Sequence, residues 1–429
     1  MNQTPGIDTP RIARRAASPA LSWQDAIWLA AIVVIGINLR PLLTSVSPLM
    51  ATIRAATGLS FSGASLLTSL PVVAMGLGAF GAGMLTRVVG ETRGVAFGLL
   101  AIACACAARL AASSGAALLM TALLAGIGVA AIQALLPGVM KQRFHARVPL
   151  AMGLFSASIM GGGGLGASLS PYAAKLSGSW HAGLAVWAVP AALACACWFA
   201  LNRLASSSRS YSERHAGACG TGHRTATHAT RTPHVAMWRK RRAWALGLHF
   251  GLVNGGYTTL VAWLPAYYQQ RGASVAHSGS LLAAMTVFQA ASALLLPLAA
   301  SSFRDRRPWL VAGLSAQLLG IAGLLTYPDA APLAWVAIAG AGLGGTFSLT
   351  LVTALDHSDD HRIAGRLVAF VQGVGFIVAA IAPVVAGRLR DLTGGFAAAW
   401  LMLALCISAM IALTVAFSPR SYARWLGSR

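Results

Sequence analysis

Apolar runs of about 20 residues, separated by short charged or turn-rich breaks, make up most of the chain. A run of that length can cross the hydrocarbon core of a bilayer, roughly 30 Å thick, as an α-helix. The pattern predicts twelve membrane-spanning helices, near residues 27–47, 62–85, 94–112, 116–139, 150–174, 183–203, 243–268, 279–301, 308–326, 332–354, 365–387 and 396–417. The expected fold class is therefore an all-α membrane protein.

A polar stretch at residues 205–241, rich in Ser, Thr, His, Gly and Arg, separates the first six runs from the last six. We interpret it as a solvated cytoplasmic linker. The predicted organisation is listed in chain order: a cytoplasmic tail at 1–25, an N-terminal six-helix bundle at 26–204, the linker at 205–241, a C-terminal six-helix bundle at 242–418 and a second tail at 419–429.

Three residues of metal-ligating types, His215, Cys219 and His223, are spaced four apart in this linker. Three candidate ligands in a flexible polar loop, with no second cysteine, are weak support for a metal site. The sequence therefore predicts neither a metal nor another cofactor.

The charge distribution indicates how the chain is oriented. A net charge of +22 would suggest nucleic acid if the chain were soluble, but 57% of the residues are hydrophobic and 10% are charged. Most of the 32 lysines and arginines fall on the side of the membrane that holds both termini. Six are predicted in loops of the other side, namely Arg54, Arg109, Lys175, Arg271, Arg388 and Arg390. This bias predicts that both termini are cytoplasmic and removes the reason to expect a nucleic-acid partner.

The two groups of six runs resemble a tandem repeat at a constant offset of 217 residues. The offset takes Pro48 to Pro265 and Arg87 to Arg304. Parallel six-helix repeats place a transported substrate between the halves, near the middle of the membrane. Under the same offset Arg40 falls on Tyr257, which predicts that the two face one cavity; coincidence among proline-containing helices is the alternative.

Arg40 is the charged residue within the first apolar run. An arginine in the middle of a spanning helix costs about 2.5 to 3.5 kcal/mol and normally faces a cavity, a partner or a ligand. All ten acidic residues fall in tails, loops or helix ends, so the sequence offers no buried carboxylate to pair with it. Thr44 and Ser47 would share its helical face. We predict a central anion site, with snorkelling toward the interface or helix-to-helix packing as alternatives.

Further polar residues inside apolar runs suggest the lining of that site. Asn254, Tyr257 and Thr258 share a face of the seventh run by their spacing, and Gln133, Gln289 and Gln372 add uncharged hydrogen-bonding groups. The residues predicted to contact the solute are Asn38, Arg40, Thr44, Gln133, Asn254, Tyr257, Trp263 and Gln372.

Other features predict moving parts rather than chemistry. The glycines at residues 161–164 and Gly166 would let the fifth helix approach a neighbour closely. No Ser-His-Asp arrangement, zinc motif or phosphate-binding glycine loop is visible in the sequence, and we interpret the isolated His249 as structural. The chain is not expected to be an enzyme.

Four stretches resemble the major facilitator superfamily, and within it the branch of cyanate and nitroimidazole transporters. They are Asn38-Leu39-Arg40-Pro41, Leu136-Pro137-Gly138, Ala262-Trp263-Leu264-Pro265 and Gln372-Gly373-Val374-Gly375-Phe376. The resemblance covers nearly the whole chain outside the tail and linker. It implies two pseudo-symmetric six-helix bundles and transport by alternating access.

The sequence departs from that pattern at three positions. Arg87 stands where the loop motif of the superfamily has an aspartate, and Phe155 and Phe376 stand where the branch often has tyrosine. The residues predicted to take part in gating are Arg87, Arg93, Arg304 and Asp305.

The predicted function is secondary active transport of a small anionic or polar solute, such as a cyanate-like anion or a nitroheterocycle, by a monomer in the lipid bilayer of a bacterial inner membrane. A proton is one candidate coupling ion, and import and export both stay open. Efflux of drugs or metabolites is an alternative, although export of cationic drugs is expected to use a membrane-embedded carboxylate. A non-transporting membrane sensor is another alternative and would need an output domain.

Overall fold

The computed structural model describes residues 22–144, 148–216, 236–358 and 361–421. This part of the chain is helical, and its α-helices are listed in order: α1 Trp23–Ile37, α2 Pro41–Thr44, α3 Met50–Thr57, α4 Phe61–Val88, α5 Glu91–Ala108, α6 Gly115–Phe144, α7 Val148–Ser177, α8 Trp180–Ala185, α9 Ala188–Ala216, α10 Arg241–Gln270, α11 Val275–Ala300, α12 Arg307–Thr326, α13 Pro332–Leu355, α14 His361–Thr393 and α15 Ala397–Val415. The expectation of an all-α protein is confirmed.

Eleven segments of the described chain are long and apolar enough to cross a membrane. The predicted seventh span, α10, is not among them, because polar residues such as His249 and Asn254 lower its hydropathy. It is nevertheless 30 residues long, which corresponds to about 45 Å of helix. Because α10 packs along the spanning α14, from Gly247 beside Val374 to Trp263 beside Pro383, it runs through the membrane with its neighbours.

The first span is interrupted, which corrects the single helix predicted over residues 27–47. Helix α1 ends at Ile37, α2 occupies only Pro41–Thr44, and α3 begins at Met50. The prolines explain the breaks, because proline disfavours the α conformation in the residue before it and lacks a backbone N–H. The sequence predicts that Ser47 shares a helical face with Arg40. This prediction is wrong, because no continuous helix joins the two residues.

Successive spanning helices run in opposite directions, so their ends lie at two opposite ends of the bundle. We call the end that holds the beginning of α1 and the end of α15 the terminal end, and the opposite end the distal end. Across the two halves, α4 packs against α14 and α7 packs against α11. At the distal end, the Gln269 side chain donates to the Pro48 carbonyl at 2.8 Å, and Asp391 of α14 accepts from the amides of Phe61 and Ser62. These contacts hold the distal ends of the halves together.

The short joint predicted between the third and fourth spans is present, since α5 ends at Ala108 and α6 begins at Gly115. Helix α9 continues to Ala216, beyond the beginning predicted for the linker. Cys219 and His223 lie outside the described residues. The placement of the tails and the linker therefore stays a prediction.

Candidate functional site

Arg40 lies in the break between α1 and α2, where it is only 5% exposed. Glycines of helix α7 pack directly against this break. A Cβ atom on Gly162 would lie 2.1 Å from the Ile37 carbonyl oxygen, and one on Gly166 would lie 2.7 Å from the Pro41 Cα. Glycine is therefore required at both positions, and the predicted close approach of this helix is confirmed. The approach buries the interrupted backbone that carries Arg40.

The guanidinium of Arg40 contacts an aromatic ring rather than an acid. Its Cζ atom lies 4.6 Å from the ring centroid of Tyr257, which belongs to α10 in the other half. Its Nε is buried and has no hydrogen-bond partner among the described residues. The ion pairs in the described chain are elsewhere, between Arg271 and Asp329, Arg306 and Asp356, and Arg307 and Asp305. A buried cation with an unused donor is suited to a bound anion.

The 217-residue offset predicts this pairing, and the structure brings Arg40 and Tyr257 together. A cation over an aromatic face gains about 0.5 to 2 kcal/mol, depending on how far it is desolvated. That gain is smaller than a pair of charge-assisted hydrogen bonds to an anion, at about 1.5 to 3 kcal/mol each. The ring of Tyr257 therefore orients the guanidinium and leaves its donors available.

Asn38 and Thr44 lie beside Arg40 along the chain, but their side chains bond to the backbone. Asn38 Nδ2 donates to the Val34 carbonyl at 2.7 Å, and the Thr44 hydroxyl donates to the Arg40 carbonyl at 3.3 Å. Both bonds help to satisfy carbonyls near the break. These residues therefore shape the backbone around Arg40.

The polar residues predicted along α10 have different surroundings. Asn254 Nδ2 donates to the Phe250 carbonyl, and the Thr258 hydroxyl reaches the Ala379 carbonyl of α14 at 3.0 Å. The Trp263 indole donates to the Pro383 carbonyl at 2.9 Å, also in α14. Tyr257 is therefore the residue of this set that contacts Arg40, while Thr258 and Trp263 join α10 to α14.

Gln133 of α6 and Gln372 of α14 are both half-buried. Neither side-chain amide has a hydrogen-bond partner within the described part of the chain. Gln289 of α11 is buried, and its Oε1 likewise lacks a donor there. These amides keep free hydrogen-bonding capacity, and among the described residues no hydrogen bond joins them to Arg40.

The predicted gating residues lie at the terminal end. Arg87, Arg93 and Arg304 are exposed. Asp305 pairs with Arg307 at 2.7 Å, and the hydrogen bonds from Arg307 lower the pKa of that carboxyl. Glu91 accepts from Gln142 at 2.9 Å, which links the beginning of α5 to the end of α6.

His249 is fully buried between two threonines, Thr350 of α13 and Thr414 of α15, with each hydroxyl 3.2 Å from a ring nitrogen. Its ring packs at 5.3 Å from that of Phe417. These contacts tie α10 to two neighbouring helices, which agrees with the structural role expected for it.

Arg109 is the residue that the sequence reasoning missed. It was expected in a distal loop, but its side chain is fully buried at the end of α5, with 1% exposure. Its two terminal nitrogens lie 3.3 Å from the Leu42 carbonyl oxygen, and its Nε donates to the Thr121 hydroxyl at 3.4 Å. Leu42 follows Arg40 by two residues, so Arg109 supports the broken backbone that positions Arg40.

A family model described as Major Facilitator Superfamily matches residues 29–383, which is most of the chain. This chain belongs to the Major Facilitator Superfamily. The facilitator is therefore a multi-pass membrane transporter of a small-molecule solute, and the predicted superfamily fold is confirmed.

Curated relatives of this facilitator include two proteins of Escherichia coli (strain K12). It is 46% identical over 393 residues to the cyanate transport protein CynX, covering 91% of this chain and 97% of that protein. It is 30% identical over 383 residues to a 2-nitroimidazole transporter, covering 88% of this chain and 92% of that one. The predicted branch is thus confirmed.

Among solved structures, a D-xylose-proton symporter has a TM-score of 0.70 to this facilitator. It is 13% identical and covers 90% of this chain and 97% of its own. At that identity the likeness supports the fold alone.

Proposed function

We propose that this facilitator transports a small anion of the cyanate type by alternating access. The observation that carries the proposal is Arg40, a buried guanidinium without a carboxylate among the described residues and with an Nε that has no acceptor. One monovalent anion would balance its charge and accept its donors. The similarity to a cyanate transport protein supports the same solute class.

The proposal includes an orientation and an assembly state. We infer that the terminal end faces the cytoplasm of a bacterium and the distal end the periplasm, because most lysines and arginines lie toward the terminal end. Arg109 no longer counts as a loop charge, since it is buried, and its removal from the distal loops strengthens the bias. The protein would act as a monomer, with its solute between the bundles at 26–204 and 242–418.

A nitroheterocycle is the second candidate solute. The pairing of Arg40 with the face of Tyr257 favours it, because a planar ring can stack near an aromatic face while its nitro oxygens accept from a guanidinium. The similarity to a 2-nitroimidazole transporter supports this candidate.

The driving force follows from the charge of the solute. Moving one negative charge toward a negative interior costs about 2.3 kcal/mol per 100 mV. The described acids lie in loops and at helix ends, so no buried carboxylate in that part of the chain can carry a proton inward. We infer that the solute either enters together with a proton held near Arg40 or leaves the cell as an anion.

Proteoliposomes containing the purified protein can test the solute class. We expect labelled cyanate to cross the membrane at a rate that excess unlabelled cyanate or thiocyanate reduces and an organic cation does not. Imposing a potential and a pH gradient separately then identifies the driving force. Transport of the organic cation without transport of cyanate or a nitroheterocycle would establish the efflux alternative instead. Accumulation of cyanate on the negative side, driven by potential alone, would exclude an anionic transported species.

A further inference from the structure

A pocket of about 290 Å³ lies at the distal end, between the two halves. Its lining includes Arg54 of α3 and Phe61 of α4 from the first half, and Gln269 of α10, Arg390 of α14 and Phe396 from the second half. Gln269 follows Tyr257 by twelve residues of continuous helix, which is about 18 Å along α10. The pocket is therefore separate from the surroundings of Arg40.

Two guanidinium groups share one aromatic ring in this pocket. The Cζ atom of Arg54 lies 3.3 Å from the ring centroid of Phe61, and that of Arg390 lies 4.6 Å from the same centroid. Burial lowers the pKa of Arg54, nearby Asp391 opposes this change, and the charge of Arg390 adds to it. Burial and the charge of Arg390 both disfavour the Arg54 cation, the carboxylate of Asp391 offsets part of this, and a small anion beside the two guanidiniums would offset more.

Among the described residues, the neighbouring carboxylate makes no hydrogen bond to either arginine. Asp391 instead accepts hydrogen bonds at 3.0 Å from the backbone amides of Phe61 and Ser62 and from the Ser62 hydroxyl. Arg54 donates its Nε to the Leu59 carbonyl, whereas the buried Nε of Arg390 has no acceptor among the described residues. The pocket therefore has two positive charges near one committed carboxylate, and one of them keeps an unused buried donor.

We propose that this distal pocket is a second anion site, which holds the solute before or after its passage through the site at Arg40. The ligand class is a small monovalent anion, so the identity of the ligand rests on the proposed function. Two guanidiniums beside a low-dielectric aromatic surface raise the local concentration of anions. Trp263 packs against two rings of the pocket lining, Phe61 at 5.5 Å and Phe396 at 5.9 Å.

Chemical protection tests the site without relying on transport. The full-length protein is treated with phenylglyoxal, which modifies arginine, with and without thiocyanate as an inert small anion, and modified peptides are quantified by mass spectrometry. We expect thiocyanate to slow modification of Arg54 and Arg390 several-fold, but not that of Arg388, an exposed arginine two residues before Arg390. The same protection should appear in Arg40→Gln protein. Equal protection at Arg388, no protection, or protection that disappears in Arg40→Gln would overturn the proposal.

Transport from each face then tests whether the pocket is used. In proteoliposomes of known orientation, the Arg54→Gln/Arg390→Gln double variant should raise the KM for cyanate presented at the distal face several-fold. It should leave the KM at the terminal face unchanged. Arg388→Gln is the matched control, and Arg390→Lys, which keeps the charge, should recover much of the distal affinity. An unchanged distal KM, or an equal rise at both faces, would contradict the proposal.

The two proposals can fail separately. If wild-type protein transports neither cyanate nor a nitroheterocycle, the proposed function is wrong, while the protection experiment still decides whether the distal pocket binds an anion. If wild-type protein transports cyanate but thiocyanate protects neither distal arginine, the function stands and the second site is wrong.

Discussion

Arg40 and Arg109 are both buried, and both lack an acidic partner among the described residues. Arg40 belongs to the broken first span, and Arg109 contacts it at the Leu42 carbonyl. They differ in what their donors reach. Arg109 donates to the Leu42 carbonyl and the Thr121 hydroxyl, whereas Arg40 has the face of Tyr257 and an Nε without an acceptor. Because an unsatisfied buried donor is costly, the comparison separates an arginine that stabilises the fold from one that is available to a ligand.

Replacing Arg40 should have the largest effect on transport. In Arg40→Gln the charge that balances the anion is lost, and we expect anion flux to fall by roughly 100-fold, the equivalent of one or two charge-assisted hydrogen bonds. Thermal stability should change little, because the loss of a cation–π contact of about 0.5 to 2 kcal/mol is offset by the removal of a buried charge with an unsatisfied donor. Arg40→Lys should recover little flux, since a point charge cannot reproduce the planar donors of a guanidinium. Initial rates in proteoliposomes and thermal unfolding measure the two effects.

Arg388→Gln is the control for this experiment, because Arg388 is exposed and distant in sequence from the break. It should transport at the wild-type rate. Wild-type flux in Arg40→Gln would show that Arg40 is not the group that recognises the anion.

Arg109→Met should show the opposite pattern, with stability affected first. It leaves the Leu42 carbonyl without its donor, and an unsatisfied buried polar group costs about 1 to 3 kcal/mol. We expect a lower unfolding temperature and, because Leu42 lies two residues from Arg40, a raised KM with a smaller change in maximal rate. Arg109→Lys should be intermediate. If Arg109→Met keeps both its unfolding temperature and its KM, the positioning role assigned to Arg109 is wrong.

Tyr257 tests how the free arginine is oriented. Tyr257→Leu removes the aromatic face and should weaken solute affinity by about 2- to 30-fold, which corresponds to a cation–π contact of 0.5 to 2 kcal/mol. Tyr257→Phe keeps the face and should bind nearly as well as the wild type. A large loss in Tyr257→Phe would mean that the hydroxyl, rather than the ring, meets the solute.

Arg242 differs from Arg40 and Arg109, because its hydrogen-bond acceptor is the titratable side chain of His357. Its Nε donates to Nε2 of His357 at 3.1 Å. Burial lowers the pKa of His357 to about 4, the Thr353 carbonyl opposes this change, and Arg242 adds to it. An unfolded histidine has a pKa near 6.5, so between about pH 6.5 and 4 the unfolded chain binds more protons, and stability falls as the pH falls. His357→Gln should flatten this dependence in thermal unfolding between pH 7 and 5. An unchanged slope would remove His357 as its source.

The helices and the pairing of Arg40 with Tyr257 could be predicted because they depend on runs and offsets within the sequence. The length of the apolar runs predicts the spans, and the repeat offset predicts that Arg40 and Tyr257 lie close together. Pro41 and Pro48 indicate a break in the first span, but the apolar residues around Arg40 continue without interruption, so the hydropathy pattern predicts a single helix.

Other features could not be predicted, because they depend on which residues meet after folding. Arg109 resembles a loop arginine in sequence, and its acceptors lie 67 and 12 residues away, in Leu42 and Thr121. The sequence also does not show which neighbouring helix each polar side chain of α10 faces. Thr258 follows Tyr257 directly, yet it bonds to α14 while Tyr257 faces Arg40.

The contact between Arg40 and Tyr257 crosses the boundary between the halves, which would rearrange in the proposed alternating-access cycle. In the empty carrier this contact favours the present conformation by about 0.5 to 2 kcal/mol, or roughly a 2- to 30-fold bias. An anion bound to the in-plane donors would neutralise the charge of the guanidinium, which would weaken its attraction to the ring and reduce the bias. The loaded carrier should therefore reorient faster than the empty one, so that exchange of one anion for another outpaces net flux.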